Sequence, residues 1–212
     1  MVSRVRNLPS PLEGVAAEAV SAHMASDLAF SNSPRTRGFV SVDGYFGSVG
    51  TLIRPLHLND MTLALAIQAA CYPPEIRDGK AAFASRIAVA PDWCWAAEVD
   101  GRLAAYLFSH PWVSMLPPPV DTVLEKAEGD VWYIHDLSVV PWARGQGLGD
   151  DLLATCRTVH PDISRSELVA IPGAAPFWER RGWHPTADSS PALDAKVARY
   201  GVGSAFLVQD FT

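Results

Sequence analysis

Apolar and polar positions alternate with period two from Val131 to Val139. The pattern predicts a strand with Val131, Tyr133, His135, Leu137 and Val139 on one face and Asp136 on the other. Pro141, which has no N–H to donate, ends its ladder. The run Arg144-Gly145-Gln146-Gly147-Leu148-Gly149 follows, and from Asp150 the spacing turns helical through Leu152, Leu153 and Cys156 as far as Pro161. Upstream, Thr51 to Pro55 predicts a short strand. Leu63, Ala64, Ile67 and Ala70 predict a helix capped by Asn59 or Asp60 and stopped at Tyr72-Pro73-Pro74. Ile76, Phe83 and Ile87 predict a second helix over Glu75 to Val89. Two apolar runs, Trp93 to Val99 and Arg102 to Phe108, flank Asp100-Gly101, a strong hairpin signal. The proline-rich stretch from His110 to Asp130 predicts a long loop. Beyond the central helix, Ser166 to Ile171 reads as a strand parallel to the first, because a helix joins them. Gly173 to Trp183 reads as a short helix ended by Gly182, and Gly201 to Phe211 as a closing strand.

A chain of 212 residues that is 49% hydrophobic is large enough for one sizeable core. The periodic pattern begins near residue 49, so residues 49–212 are expected to form the domain and residues 1–48 a loosely packed extension. Within the extension, Leu12 to Leu28 is compatible with a helix and Phe39 to Phe46 with a short strand, and Met24 is an alternative start. Pro9, Pro11 and Glu13 stand where a signal peptide would need its apolar core, and no run is long and apolar enough to span a bilayer. A net charge of -6 argues against nucleic acid as a partner. Cys71, Cys94 and Cys156 are scattered, odd in number and without metal spacing, as expected of a cytoplasmic chain with reduced thiols.

A strand feeding a glycine-rich turn into a helix makes an anion site: the backbone N–H groups are unpaired and the helix dipole favours negative charge. The turn is not the dinucleotide GxGxxG, since Asp150 stands where its third glycine would be, and the lysine and hydroxyl of a P-loop are absent. LSVVPWARGQGLG instead resembles motif A of the GNAT superfamily of N-acetyltransferases, V-x-P-x-x-R-G-x-G-x-G, with Val139, Pro141, Arg144, Gly145, Gly147 and Gly149 in place. Ala174, Phe177, Gly182 and Trp183 are similar to that family's motif B, except that Trp178 occupies the usual tyrosine position. The resemblance covers about residues 51–211. It implies a single α/β (α+β) domain with a mixed, mainly antiparallel sheet, splayed at the cofactor site and flanked by helices.

The resemblance further implies acetyl-coenzyme A as co-substrate, with no metal. Its contacts would be Leu137, Ser138, Val139, Arg144, Gly145, Gln146, Gly147, Leu148, Gly149, Asp150 and Trp178. It also implies transfer to a primary amine, either a small molecule or a peptide N-terminus, by direct attack on the thioester. A second copy of the chain is the one macromolecular partner left open, with neither nucleic acid nor a membrane expected. An attacking amine needs a base, and His135 is the leading candidate, with Glu98 acting through water as an alternative. In the family a tyrosine often protonates the leaving thiolate. An indole N–H is not a practical acid in water, so either Tyr133, Tyr106 or Tyr200 replaces the family tyrosine or the thiolate leaves unprotonated with solvent help. The alternative to an enzyme is a coenzyme A-binding sensor that keeps the pyrophosphate turn without turnover.

Overall fold

The computed structural model describes residues 50–211. The extension over residues 1–48, with its expected helix, strand and alternative start, lies outside the described residues. Twelve elements follow in order: β1 (Thr51–Pro55), α1 (Met61–Cys71), α2 (Lys80–Val89), β2 (Trp95–Val99), β3 (Arg102–Trp112), β4 (Val131–Val139), α3 (Leu148–Val159), β5 (Arg165–Ala170), α4 (Ala175–Glu179), β6 (His184–Pro185), α5 (Pro191–Val197) and β7 (Ala205–Asp210). They build one seven-stranded sheet of order β1-β2-β3-β4-β5-β7-β6. Every neighbouring pair is antiparallel except β4 and β5, which are parallel across the α3 crossover. Among the described residues no helix is long and apolar enough to cross a membrane.

The sheet is covered on both faces. Phe83 of α2 stacks on Phe108 at 4.1 Å and meets Tyr106 edge-on at 5.8 Å. On the other face Cys156 of α3 lies 3.8 Å from Ser109 Oγ. The Asp100-Gly101 turn forms as expected, with both residues at positive φ (50° and 72°).

Three expectations are corrected. The helix foreseen over Glu75 to Val89 is a 3-10 turn at Pro74–Ile76 and then α2 from Lys80, because Arg77, Asp78 and Gly79 are non-helical. β3 runs on through Pro111 to Trp112, since β4 continues opposite it to Val131. The strict alternation along β4 also fails. Phe108 pairs with Asp136 and Ser109 with Ile134, leaving His135 as an extra residue in a bulge. One extra residue inverts the facing of all that follows. Asp136 and Ser138 therefore join Tyr133 on the α1/α2 face, while Leu137 and Val139 join Ile134 on the α3 face.

Candidate active site

The bulge sits where the sheet opens. β4 and β5 are paired only through Trp132 with Ser166 and Tyr133 with Glu167, so the β5-side edge of β4 is unpaired beyond that point. The Val140 N–H pairs with Ala104 of β3 at 2.8 Å. By the two-residue period, the main-chain groups of Leu137 and Val139 point the other way, into the wedge. A cavity of about 750 Å³ fills this wedge, within the size range of small-molecule and cofactor sites.

Ten of the eleven expected cofactor residues line that cavity: Leu137, Ser138, Val139, Arg144, Gly145, Gly147, Leu148, Gly149, Asp150 and Trp178. Gln146 lies outside the lining. Gly145 and Gly147 are left-handed, at φ 73° and 82°, which turns the chain sharply into α3. Gly147 caps α3 without a side-chain hydrogen bond, which suits the start of the helix to an anion. A Cβ on Gly149 would stand 3.6 Å from both Leu137 Cδ2 and Phe177 Cζ, so α3 packs closely between β4 and α4. The Arg144 guanidinium donates to the Val139 carbonyl at 3.3 Å. Across the mouth, Arg181 pairs with Asp150 at 2.5 Å and lies over the Phe177 ring at 3.7 Å. Trp178 is buried edge-on to Phe177 and Trp183.

The opposite wall comes from α1, the segment after it, and the inverted face of β4. Asp136 is buried and accepts three hydroxyl hydrogen bonds, from Tyr72 at 2.7 Å, Tyr106 at 2.8 Å and Ser138 at 3.0 Å. Burial raises its carboxyl from 3.8 to about 6, against the pull of those three hydroxyls. Asp136, Tyr72 and Ser138 line the cavity, whereas Tyr106 is completely buried behind it. The wall thus offers a carboxylate that titrates close to neutrality.

His135 also lines the cavity, but its ring is committed elsewhere. Nε2 lies 2.6 Å from Asp78 Oδ2 and 2.6 Å from the Arg86 guanidinium, and only one of these contacts is a hydrogen bond in any one tautomer. Burial and Arg86 lower the His135 pKa, with Asp78 opposing them. Asp78, held by His135, Arg86 and the Asp121 N–H, falls to about 2 despite its burial. Tyr133 is not part of the lining; it is buried in a cluster with Leu193, Val197, Phe206 and Val208. Tyr200 reaches the lining, but its hydroxyl donates to the Pro118 carbonyl at 2.6 Å. Glu98 is bound to Arg54 at 2.6 Å and is not part of the cavity wall.

Sequence reasoning missed Asp78, Tyr72 and the facing of Asp136. Asp78 sat inside a predicted helix, and Tyr72 read only as part of a helix stop. The one available sign was the aspartate itself, the one acidic residue within a mostly apolar strand.

A parallel pair parted beside a glycine-capped helix, with an ionisable wall opposite, makes an open cleft with an anion site at one side. The chain belongs to the acetyltransferase (GNAT) family, whose profile matches residues 63–183. The loading GNATL domain of CurA from Lyngbya majuscula superposes with a TM-score of 0.60 at 13% identity, over 76% of this chain and 97% of that one. Arabidopsis thaliana Naa50, in complex with the bisubstrate analogue CoA-Ac-MVNAL, gives 0.55 at 16% identity over 76% and 99%. N-acetylglutamate synthase from Neisseria gonorrhoeae, complexed with coenzyme A and N-acetyl-glutamate, gives 0.56 at 19% over 76% and 35%. These likenesses establish the GNAT acyltransferase fold. No curated protein matches the chain.

Proposed function

We propose that this chain transfers an acetyl group from acetyl-coenzyme A to a primary amine, a small molecule or a peptide N-terminus, by direct attack on the thioester. The observation that carries this reading is Asp136, a carboxylate titrating at about 6 in the wall of the cavity that the glycine turn borders. The pyrophosphate would lie on the N–H groups of Gly145 to Gly149, and pantetheine would bond the Leu137 and Val139 main chain as an added strand. Coenzyme A in the Neisseria complex and the CoA-peptide analogue in the Arabidopsis complex support this assignment.

The amine enters neutral and attacks the thioester carbon. One of its two protons becomes acidic as the C–N bond forms, and Asp136 takes it at that moment. A wedge-facing N–H on the Val139 side stabilises the oxygen that gains charge. Asp136 is preferred to His135 as base because the His135 ring nitrogen is already held by Asp78 or Arg86. His135 and Asp78 are then positioning residues that shape the acceptor end.

Trp178 at the motif B position favours a second reading, a sensor that binds acetyl-coenzyme A without turnover. Thiol release from acetyl-coenzyme A, with the product identified by mass, separates the two. The acceptors would be phenethylamine, spermidine, L-glutamate and the pentapeptide MVNAL. Transfer to any one class is expected; tight binding with no transfer to any of them would favour the sensor.

A further inference from the structure

The proline-rich segment 113–130 joins β3 to β4, and of its residues Val120 is the one in the cavity wall. Contacts on both sides hold it there. One residue on, the Asp121 N–H donates to Asp78 Oδ1, and the Asp121 carboxylate accepts from the Gly79 N–H at 2.7 Å. The seat is close, since a Cβ on Gly79 would stand 3.1 Å from Asp121 Oδ1. Two residues back, the Pro118 carbonyl accepts from the Tyr200 hydroxyl at 2.6 Å, and Pro117 and Pro118 are buried. Val120 is therefore a fixed part of the wall.

The same contacts locate Val120 along the cleft. Asp78 and Tyr200 line the cavity themselves, and Asp78 meets His135, the residue before Asp136 on β4. The glycine turn follows the far end of that strand, so Val120 stands on the acceptor side of Asp136. Ile76, two residues before Asp78, lines the same cavity. The polar groups at this end are bonded within the protein. Asp78 is held by His135, Arg86 and Asp121, and Arg77 donates to the Tyr72 and Ala69 carbonyls. What Val120 and Ile76 offer a substrate is apolar surface.

We propose, resting on the transfer reading above, that Val120 selects the acceptor, its side chain packing on the apolar body of a primary amine whose nitrogen is presented to Asp136. The acceptor class is a small alkyl- or arylalkylamine, its body lying against Val120 and Ile76. Each methylene buried there adds about fourfold to kcat/KM. A carboxylate or second ammonium on the acceptor loses water without gaining a counter-charge from groups that are already paired.

The test is kcat/KM, expressed per neutral amine, for ethylamine, butylamine, phenethylamine, spermidine, L-glutamate and the pentapeptide MVNAL. The wild type should rise from ethylamine through butylamine to phenethylamine and prefer phenethylamine to the last three. Val120→Thr keeps the size and branching but adds a hydroxyl, and should lower the phenethylamine-to-ethylamine ratio at least about fivefold. Val120→Phe fills the space and should lower that ratio about tenfold or more. The KM for acetyl-coenzyme A should change little in either variant. The ratio is the readout because damage to the segment would lower both amines alike. An unchanged ratio in both variants, or a preference for spermidine, L-glutamate or MVNAL, would overturn selection by Val120 while leaving the transferase reading intact. A wild type that acetylates none of the six would overturn both.

Discussion

Asp136 and Asp78 share one wall of the cavity, yet they titrate on opposite sides of the ordinary carboxylate value. Asp136 meets three hydroxyls and the Gln68 amide but no cation in contact, so burial dominates and its carboxyl rises from 3.8 to about 6. Its contribution to stability is complete below 3.8 and is lost as pH rises through about 6. The shift corresponds to about 3 kcal/mol. Asp78 is held by His135, Arg86 and a backbone N–H, so its carboxyl falls to about 2. Its contribution is present above 3.8 and disappears as pH falls through about 2. Urea denaturation across this range should therefore show Asp136→Asn flattening the decline in stability between 3.8 and about 6. Asp78→Asn should cost about 3 kcal/mol at neutral pH, because it leaves the fully buried Arg86 without its ion partner.

The elements that build the site were legible in unequal measure. β4, the glycine turn and α3 follow from alternation, Pro141 and three glycines, and they form where the sequence puts them. The bulge at His135 left no mark in the apolar pattern, so the face of Asp136 was misread. A bulge is set by how β4 registers against β3, which no local period reports. The loop after β3 was equally opaque. Two buried carboxylates hold it by the N–H groups of left-handed residues: Glu167 binds Met115 (φ 61°) at 2.8 Å, and Asp78 binds Asp121 (φ 60°) at 2.5 Å. Glu167→Ala should free the first of these contacts. Hydrogen exchange should rise over residues 113–121 while the sheet stays protected. At the turn, Gly147→Ala forces a Cβ into left-handed backbone at φ 82°, costing about 1–2 kcal/mol. Its kinetic mark should be a raised KM for acetyl-coenzyme A, measured by thiol release.

At the scale of the whole molecule, the cleft exists because a single sheet is joined on both sides of a parted pair. The end of α1, the segment after it and β4 form one wall, and the glycine turn, the start of α3, the end of β5 and α4 form the other. A co-substrate spanning the cleft should stabilise both walls together. At a hundredfold excess over its Kd, acetyl-coenzyme A should add about 3 kcal/mol and raise Tm by about 6–10 °C. The claim that joins both walls is that Asp136 deprotonates the amine as it attacks. It is tested most directly by the pH dependence of kcat/KM, expressed per neutral amine, in the wild type, Asp136→Asn and His135→Ala. The wild type should gain activity as pH rises through about 6, where Asp136 ionises. Asp136→Asn should lose that limb along with at least about 100-fold of the rate, and His135→Ala should keep it. An acidic limb that survives in Asp136→Asn, or disappears in His135→Ala, would contradict the account.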